Sequence, residues 1–234
     1  MFKQMFDVES STLTYLIVDD ATHEAVLIDP VLANIESYIA LMKALNCQLK
    51  YSIETHVHAD HITASGTLRE RLKIKTAVSE QCSPTNADMQ LNDGDVLTVG
   101  SQTLKVIATP GHTPGSSCFL WGDRLFTGDT LLINGCGRTD FQNGSATMLY
   151  ESITKKIFNL PDETLIYPGH DYNGRRVSSV GQEININPRL AGKTEQEFVA
   201  IMQGLDLPKP SLMDTAVSAN RRCGVPEATE AVQG

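Results

Sequence analysis

The chain has 234 residues, 41% of them hydrophobic and 20% charged, which is enough apolar mass for one packed domain and argues against disorder. Nineteen basic residues against 28 acidic ones give a net charge of −9, so a nucleic-acid partner is excluded on the ground that phosphate binding needs a clustered positive excess. No apolar run approaches the roughly 18 residues that cross a bilayer; Met1–Asp7 lacks the basic start and apolar stretch of a signal peptide; and five scattered cysteines with no Cys-x-x-Cys pair point to a reducing cytoplasm, not a disulfide framework.

In chain order, Thr12–Val18 and Ala25–Ile28 read as strands around the Asp19-Asp20 turn. Ile35, Ile39, Met42 and Leu45 fall at helical spacing, which predicts an amphipathic helix over Ala33–Asn46. Leu49–Glu54 reads as a strand and Ser65–Leu72 as a helix. The middle is strand-rich, with Thr76–Val78, Val96–Val99, Thr103–Ile107, Ser117–Trp121 and Arg124–Phe126 separated by Asn, Asp and Gly. A helix follows, capped by Ser145 and burying Leu149, Ile153, Ile157 and Leu160. Thr164–Tyr167 is the last clear strand, and Thr194 with Glu197 forms a capping-box pattern ahead of Phe198. Beyond about Leu207, Pro208 and Pro210 break regular structure, and the Glu227–Gly234 tail is expected to be loose. Strand pairs interrupted by helices, in two halves, imply an α/β fold of two packed sheets with helices on both outer faces.

The histidines are unevenly placed. His23 is isolated in a turn and reads as a surface residue, whereas Thr55-His56-Val57-His58-Ala59-Asp60-His61 puts four imidazole or carboxylate groups within six residues, directly after a strand. Residues two apart on an extended segment share a face, so His56, His58 and Asp60 converge, with His61 reaching round as the next helix begins. His112 lies in Thr109-Pro110-Gly111-His112-Thr113-Pro114-Gly115, a rigid loop suited to fixing an imidazole. Asp129 follows a strand in Thr127-Gly128-Asp129, and His170 does so in Pro168-Gly169-His170. One layout repeats: a strand, a glycine-bearing loop, then a metal-competent side chain at the same sheet edge.

These residues, in this order, resemble the metallo-β-lactamase superfamily, which implies an αββα sandwich of two mixed β-sheets flanked by helices, with metal along one edge. Gly128-Asp129-Thr130 through Gly135-Cys136-Gly137-Arg138-Thr139-Asp140, together with Tyr167-Pro168-Gly169-His170-Asp171-Tyr172, Asn187-Pro188-Arg189-Leu190 and Ala219-Asn220-Arg221-Arg222-Cys223-Gly224, is similar to the persulfide dioxygenases, the sulfur dioxygenases of the ethylmalonic encephalopathy protein family. The resemblance covers essentially all of residues 1–234, which are expected to form a single domain whose segment from about 171 to 234 completes the substrate site.

The resemblance implies oxidation of glutathione persulfide with O₂ to sulfite and glutathione at one Fe(II) per chain, with His56, His112 and Asp129 as ligands. That set is a facial triad of two histidines and one carboxylate with open positions. His58, Asp60, His61 and His170, which hold metal in binuclear relatives, are assigned to orienting the ligands, and an alternative second metal on them stays open. Glutathione carries two carboxylates, so Arg138 is the candidate to hold one bidentately, with Tyr172, Arg175 and Arg176 as further substrate contacts. Cys136, in its glycine-flanked turn, reads as packed rather than reactive. The family also implies a homodimer and no membrane partner. The competing assignment is a glyoxalase II-type thioesterase with a binuclear site, which the Cys136–Asp140 run and the short C-terminal segment disfavour; a metal-stabilised binding scaffold is a third, disfavoured because a structural site is normally closed by four ligands.

Overall fold

A computed structural model of the chain describes residues 1–210 and 212–225. Two six-stranded sheets face each other. The first runs in chain order through β1 (Phe2–Phe6), β2 (Leu13–Val18), β3 (Glu24–Ile28), β4 (Gln48–Ile53), β5 (Lys75–Ser79) and β6 (Met89–Leu91). The second holds β7 (Val96–Val99), β8 (Gln102–Ala108), β9 (Ser117–Trp121), β10 (Arg124–Gly128), β11 (Leu165–Pro168) and β12 (Ser178–Ser179), in the order β12-β11-β10-β9-β8-β7.

Pairing is antiparallel through β1–β2–β3 and parallel from β3 to β6; in the second sheet only β10–β11 is parallel. Parallel neighbours need a crossover, and the helices supply it. Helix α1 (Ile35–Ala44) links β3 to β4, and α2 (Ser65–Leu72) links β4 to β5. Helix α3 (Ala146–Ser152), continued by a π-helical turn over Ile153–Ile157, links β10 to β11. Helices α4 (Val180–Ile186), α5 (Glu195–Gln203) and α6 (Met213–Asn220) complete the chain.

Alternation along the strands builds three layers of core. On β2, Leu13, Tyr15 and Ile17 point between the sheets and meet Val99, Leu104, Val106, Phe119 and Phe126 of the second sheet. Their neighbours Leu16 and Val18 turn outward onto Tyr38, Ile39 and Met42 of α1 and Leu68 of α2. On the far side Cys118, Leu125 and Ile166 pack against Leu149, Ile153, Ile157 and Phe198. The period-two pattern thus gives the central strands two covered faces, while β7 and β8 alternate buried with exposed residues.

Most predicted elements appear within a residue or two of their expected ends. The helix expected over Ala33–Asn46 starts as a 3₁₀ turn at Leu32–Asn34 and stops at Ala44, with Asn46 in the left-handed region at φ 47°. Ser145 caps α3 through the Met148 N–H, and Thr194 and Glu197 form the full capping box on α5. Five strands and α-helices are additional: edge strand β1, whose Phe2 ring packs on Tyr15, Phe126 and Tyr167; the short strands β6 and β12; helix α4, capped by Ser179; and helix α6. The prolines leave 205–210 irregular as expected, but a helix resumes at Met213. The Glu227–Gly234 tail lies outside the described residues.

The topology brings the carboxyl ends of β4, β8, β10 and β11 to one edge. Main-chain bonds stitch that edge across the two sheets: Leu13 N donates to Gly169 O at 2.8 Å, and Ser117 N donates to Thr55 O at 2.8 Å.

Candidate metal centre

The loop after β4 supplies His56, His58, Asp60 and His61, the loop after β8 supplies His112, and Asp129 and His170 directly follow β10 and the end of β11. The segment is an irregular loop rather than extended strand, and His61 lies in it too, because α2 does not begin until Ser65. Asn220 holds this loop: its Nδ2 donates to the carbonyls of His58 (2.9 Å) and His61 (2.8 Å), while its Oδ1 accepts from Thr63 N.

His56, His112 and Asp129 come together with their ligand atoms all within 4.8 Å of one another. Each imidazole has one nitrogen committed elsewhere. His112 Nδ1 donates to the Arg138 carbonyl at 2.7 Å, which leaves Nε2 facing Asp129 Oδ2 at 3.7 Å. His56 Nδ1 lies 2.9 Å from Thr55 Oγ1, whose own proton goes to Asp29 Oδ2 at 2.8 Å, so His56 Nδ1–H is the donor and Nε2 carries the lone pair. Burial first, then the neighbouring His58 and His112 rings, push the His56 pKa well below the usual range, which keeps it neutral. Glycine is required beside this set: a Cβ on Gly137 would collide with the Asp129 carbonyl and stand 2.9 Å from His112 Nδ1.

Around the triad lies a ring of orienting groups. Asp60 Oδ2 accepts from His61 Nδ1 at 2.9 Å and from Thr12 Oγ1 at 3.2 Å. Burial opposes its charge, but His170 and His61 outweigh burial and hold the carboxylate far below its normal range. His170 Nδ1 reaches the Ser11 carbonyl at 3.2 Å, while its Nε2 stands 3.6 Å from Asp129 Oδ1 and 3.7 Å from Asp60 Oδ2. His58 turns the other way, its Nε2 3.2 Å from Asp29 Oδ1 and 3.3 Å from Glu54 Oε2. Burial lowers its pKa, yet those two carboxylates raise it well above the usual value.

The donor set fits a metal ion. Asp129 Oδ1, His61 Nε2 and His58 Nδ1 are buried without a hydrogen-bond partner, and buried polar atoms are rarely left so unless something else meets them. The triad offers two imidazole nitrogens and one carboxylate oxygen at the wall of a cavity of about 560 Å³, open to ligands on that side. His58, Asp60 and His170 form a second such group and Asp29, Glu54 and His58 a third.

The cavity is walled by Leu132, Phe141, Leu207, Pro208 and Tyr172, whose ring stacks on His170. Two of the expected substrate contacts lie off the cavity lining. Arg175 folds back onto Asp171, with Nε and Nη2 each 2.9 Å from Oδ1, and neither it nor Arg176 lines the cavity. Arg138 does line it, but its Nε and Nη2 fork is taken by Asp140 at 2.7 Å on each oxygen. Its Nη1 and Nη2 also bond the carbonyls of Pro208 (2.7 Å) and Leu207 (3.1 Å), so four of five N–H donors are spent on fastening the cavity wall. Cys136 is buried, its thiol pushed by burial up to about 11, with its sulfur 3.7 Å from Met202 Sδ, which suits packing and not reactivity. His23 is exposed, as expected.

Sequence reasoning missed Asp29, Glu54, Asn220, Arg189 and Lys209. Asp29 had a readable signal, since it follows β3 just as Asp129 follows β10.

A sequence model of the Metallo-beta-lactamase superfamily matches residues 8–170. The chain is 50% identical over 231 residues to human persulfide dioxygenase ETHE1, mitochondrial, covering 98% of this chain and 91% of that protein. The chain belongs to the persulfide dioxygenase family. The crystal structure of ETHE1 from Myxococcus xanthus superposes with a TM-score of 0.95 at 54% identity, covering 96% of this chain and all of the other. Glyoxylase B2 of Dictyostelium discoideum is more distant, at 30% identity over 260 residues and 93% and 89% of the two chains. The fold is the two-sheet sandwich described above, and His56, His112 and Asp129 lie together at its edge as one of three groups among the described residues that could hold a metal ion.

Proposed function

We propose that this enzyme oxidises glutathione persulfide with O₂ and water, releasing sulfite and glutathione, at one Fe(II) held by His56, His112 and Asp129. The atoms balance: the outer sulfur of the persulfide leaves the thiol and takes two oxygens from O₂ and one from water. That sulfur loses four electrons, O₂ gains them, and the inner sulfur departs as the thiol. The observation that carries the reading is the facial set of two imidazole nitrogens and one carboxylate opening onto the cavity, in a chain half identical to a named persulfide dioxygenase.

Iron(II) in that set supplies one-electron redox chemistry toward O₂ and a place for a soft sulfur donor, which zinc cannot match in redox terms. The remaining chemistry belongs to side chains. Thr55 and Asp29 fix the His56 tautomer, and the Arg138 carbonyl fixes that of His112. His170, held between Asp129 and Asp60, has its pKa lowered by burial and raised more strongly by those carboxylates, so it can carry a proton beside Asp129. Leu132, Phe141, Leu207 and Pro208 give the cavity an apolar wall, and Arg138, Arg189 and Lys209 supply positive charge for an anionic carrier in an acidic protein.

The cytoplasm is the proposed location, on composition and on five cysteines that are all unpaired; no helix among the described residues is long and apolar enough to cross a membrane. A homodimer is proposed from the family resemblance, with light scattering as its check. Protein purified anaerobically is expected to contain one iron per chain and to consume one O₂ per sulfite formed. Two zinc ions per chain, with hydrolysis of lactoyl-glutathione and no oxygen uptake, would move the function to the thioesterase.

A further inference from the structure

The loop after His170 is held by one buried carboxylate. Asp171 is 4% exposed, and its Oδ2 accepts from Asn173 N at 3.0 Å and from Arg175 N at 2.6 Å. Its Oδ1 accepts from Arg175 Nε at 2.9 Å. Between the two main-chain donors stands Gly174, exposed, at φ 74°, with open space where a Cβ would be. The clasp passes over the N–H in the middle of the turn, and Gly174 N has no partner among the described residues.

Asn173-Gly174 is one of three Asn-Gly pairs in the chain, with Asn134-Gly135 and Asn143-Gly144. In such a pair the glycine nitrogen can attack the asparagine side-chain carbonyl, because no Cβ shields it. Attack requires that nitrogen to give up its proton and to move onto Cγ. The three pairs differ in both respects. Gly135 N donates to Leu132 O at 3.3 Å and Gly144 N to Phe141 O at 2.9 Å. Gly135 is also buried, and a Cβ on Gly144 would stand 2.5 Å from Thr139 O. Of the three, Asn173-Gly174 alone joins an exposed asparagine to an uncommitted nitrogen in open surroundings.

We propose that Asn173 is a self-modification site, which deamidates through a cyclic imide and unclasps its loop. The Gly174 nitrogen bonds to Asn173 Cγ, the Cγ–Nδ2 bond breaks, and the amide leaves as ammonia with the Gly174 proton. Water then opens the ring. Attack at Cγ gives aspartate with the original main chain. Attack at the main-chain carbonyl gives isoaspartate, in which the main chain runs through Cβ and Cγ. Nothing is oxidised or reduced. The isoaspartyl form puts one more carbon between Asn173 N and Arg175 N, so the two no longer converge on Asp171 Oδ2, and either product adds a negative charge beside that carboxylate.

The test is to age the purified protein in mildly alkaline and in mildly acidic buffer. Peptide mapping by mass spectrometry, with isoaspartate-specific methyl transfer, follows each pair. Conversion is expected first at Asn173, faster in the alkaline buffer, and at a rate close to that of the free peptide of residues 171–176. Asn134 and Asn143 should lag their own free peptides by about 3–10-fold or more, since each glycine must first give up a hydrogen bond. Trypsin should then cut after Arg175 and Arg176 faster in the aged protein, in step with its isoaspartate content. Aged Asn173→Gln, whose longer side chain closes a ring poorly, should keep the cleavage rate of fresh protein. Conversion at Asn173 no faster than at Asn134 or Asn143 would overturn the assignment. So would an intact Asn173 in the folded protein once its free peptide has converted. Trypsin rates unchanged after full conversion would overturn the unclasping.

Discussion

Replacing Asp29 by Asn should weaken the metal site from below. Asp29 is 1% exposed and accepts from Thr55 N at 2.7 Å and from Thr55 Oγ1 at 2.8 Å, with His58 Nε2 at 3.2 Å. Asn is the informative variant because Asp29 sits at φ 51°, a left-handed conformation that Asn tolerates and Ala does not. One carboxylate oxygen becomes an amide that donates, so either Thr55 Oγ1 loses its acceptor Oδ2, or Thr55 N and His58 Nε2 together lose Oδ1. A buried charge-assisted bond lost in this way costs about 2–4 kcal/mol. For a domain of this size that is a fall in Tm of roughly 5–15 °C. The Thr55 hydroxyl, freed from Asp29, no longer has to accept from His56, and iron affinity should drop by about 10–100-fold. Thermal unfolding and competition for ferrous ion against a chromophoric chelator measure the two effects. Wild-type values for both would refute the network; a lower Tm with unchanged iron affinity would refute the relay from Asp29 through Thr55 to His56.

His112→Ala should abolish both iron binding and turnover, while His58→Ala and His170→Ala should keep substantial iron and lose about 10–100-fold in turnover, read by metal analysis beside oxygen uptake; iron loss as complete in His58→Ala as in His112→Ala would make His58 a ligand. Arg138→Ala should release the 207–210 segment, seen as new protease cleavage there, and raise KM for glutathione persulfide while iron content stays near wild type; a cleavage pattern and KM like wild type would show that the wall does not depend on this side chain.

The metal-competent residues were legible because chemistry and topology coincide in them. His56, His58, Asp60, His112, Asp129 and His170 all stand where a strand ends and a polar loop begins, and both features can be read locally. The cavity charges could not be read that way. Arg175 and Arg176 follow His170 closely in sequence, but proximity does not set direction, and Arg175 curls onto Asp171 four residues before it. Arg138 was placed near the metal correctly, yet Asp140 two residues on takes its fork, a pairing that the Arg-x-Asp spacing carries and that the chain-order reading passed over. Arg189 and Lys209 reach the cavity from segments docked only by long-range contacts, such as Asn187 to Gly135. Helix α6 was obscured by Pro208 and Pro210, which do end local order but cannot forbid a helix three residues later. Strand β1 shows no alternation of its own, because it is an edge strand whose place is set by pairing with β2.

His58 decides how the donors of this edge divide between one metal and two. It belongs both to the group with Asp60 and His170 and to the group with Asp29 and Glu54. Turned toward the second, it stands between two carboxylates that are buried and committed elsewhere: Asp29 to Thr55, and Glu54 Oε1 to the hydroxyls of Thr63 and Ser65. Serving the first group needs no rotation of the ring: a nitrogen of His58 already lies within 4.8 Å of ligand atoms of Asp60 and His170, and Nδ1 is buried without a partner, so Nε2 can keep its place between Asp29 and Glu54. The neighbouring carboxylate Asp60 receives His61, Thr12 and His170 on Oδ2, which leaves Oδ1 for an ion. Asp129 is approached in the same way, by His170 Nε2 at 3.6 Å and His112 Nε2 at 3.7 Å. What separates the two groups is access: His56, His112 and Asp129 all line the cavity and His58 does not, so one ion per chain is expected on those three, and a second ion found by metal analysis would refute that expectation.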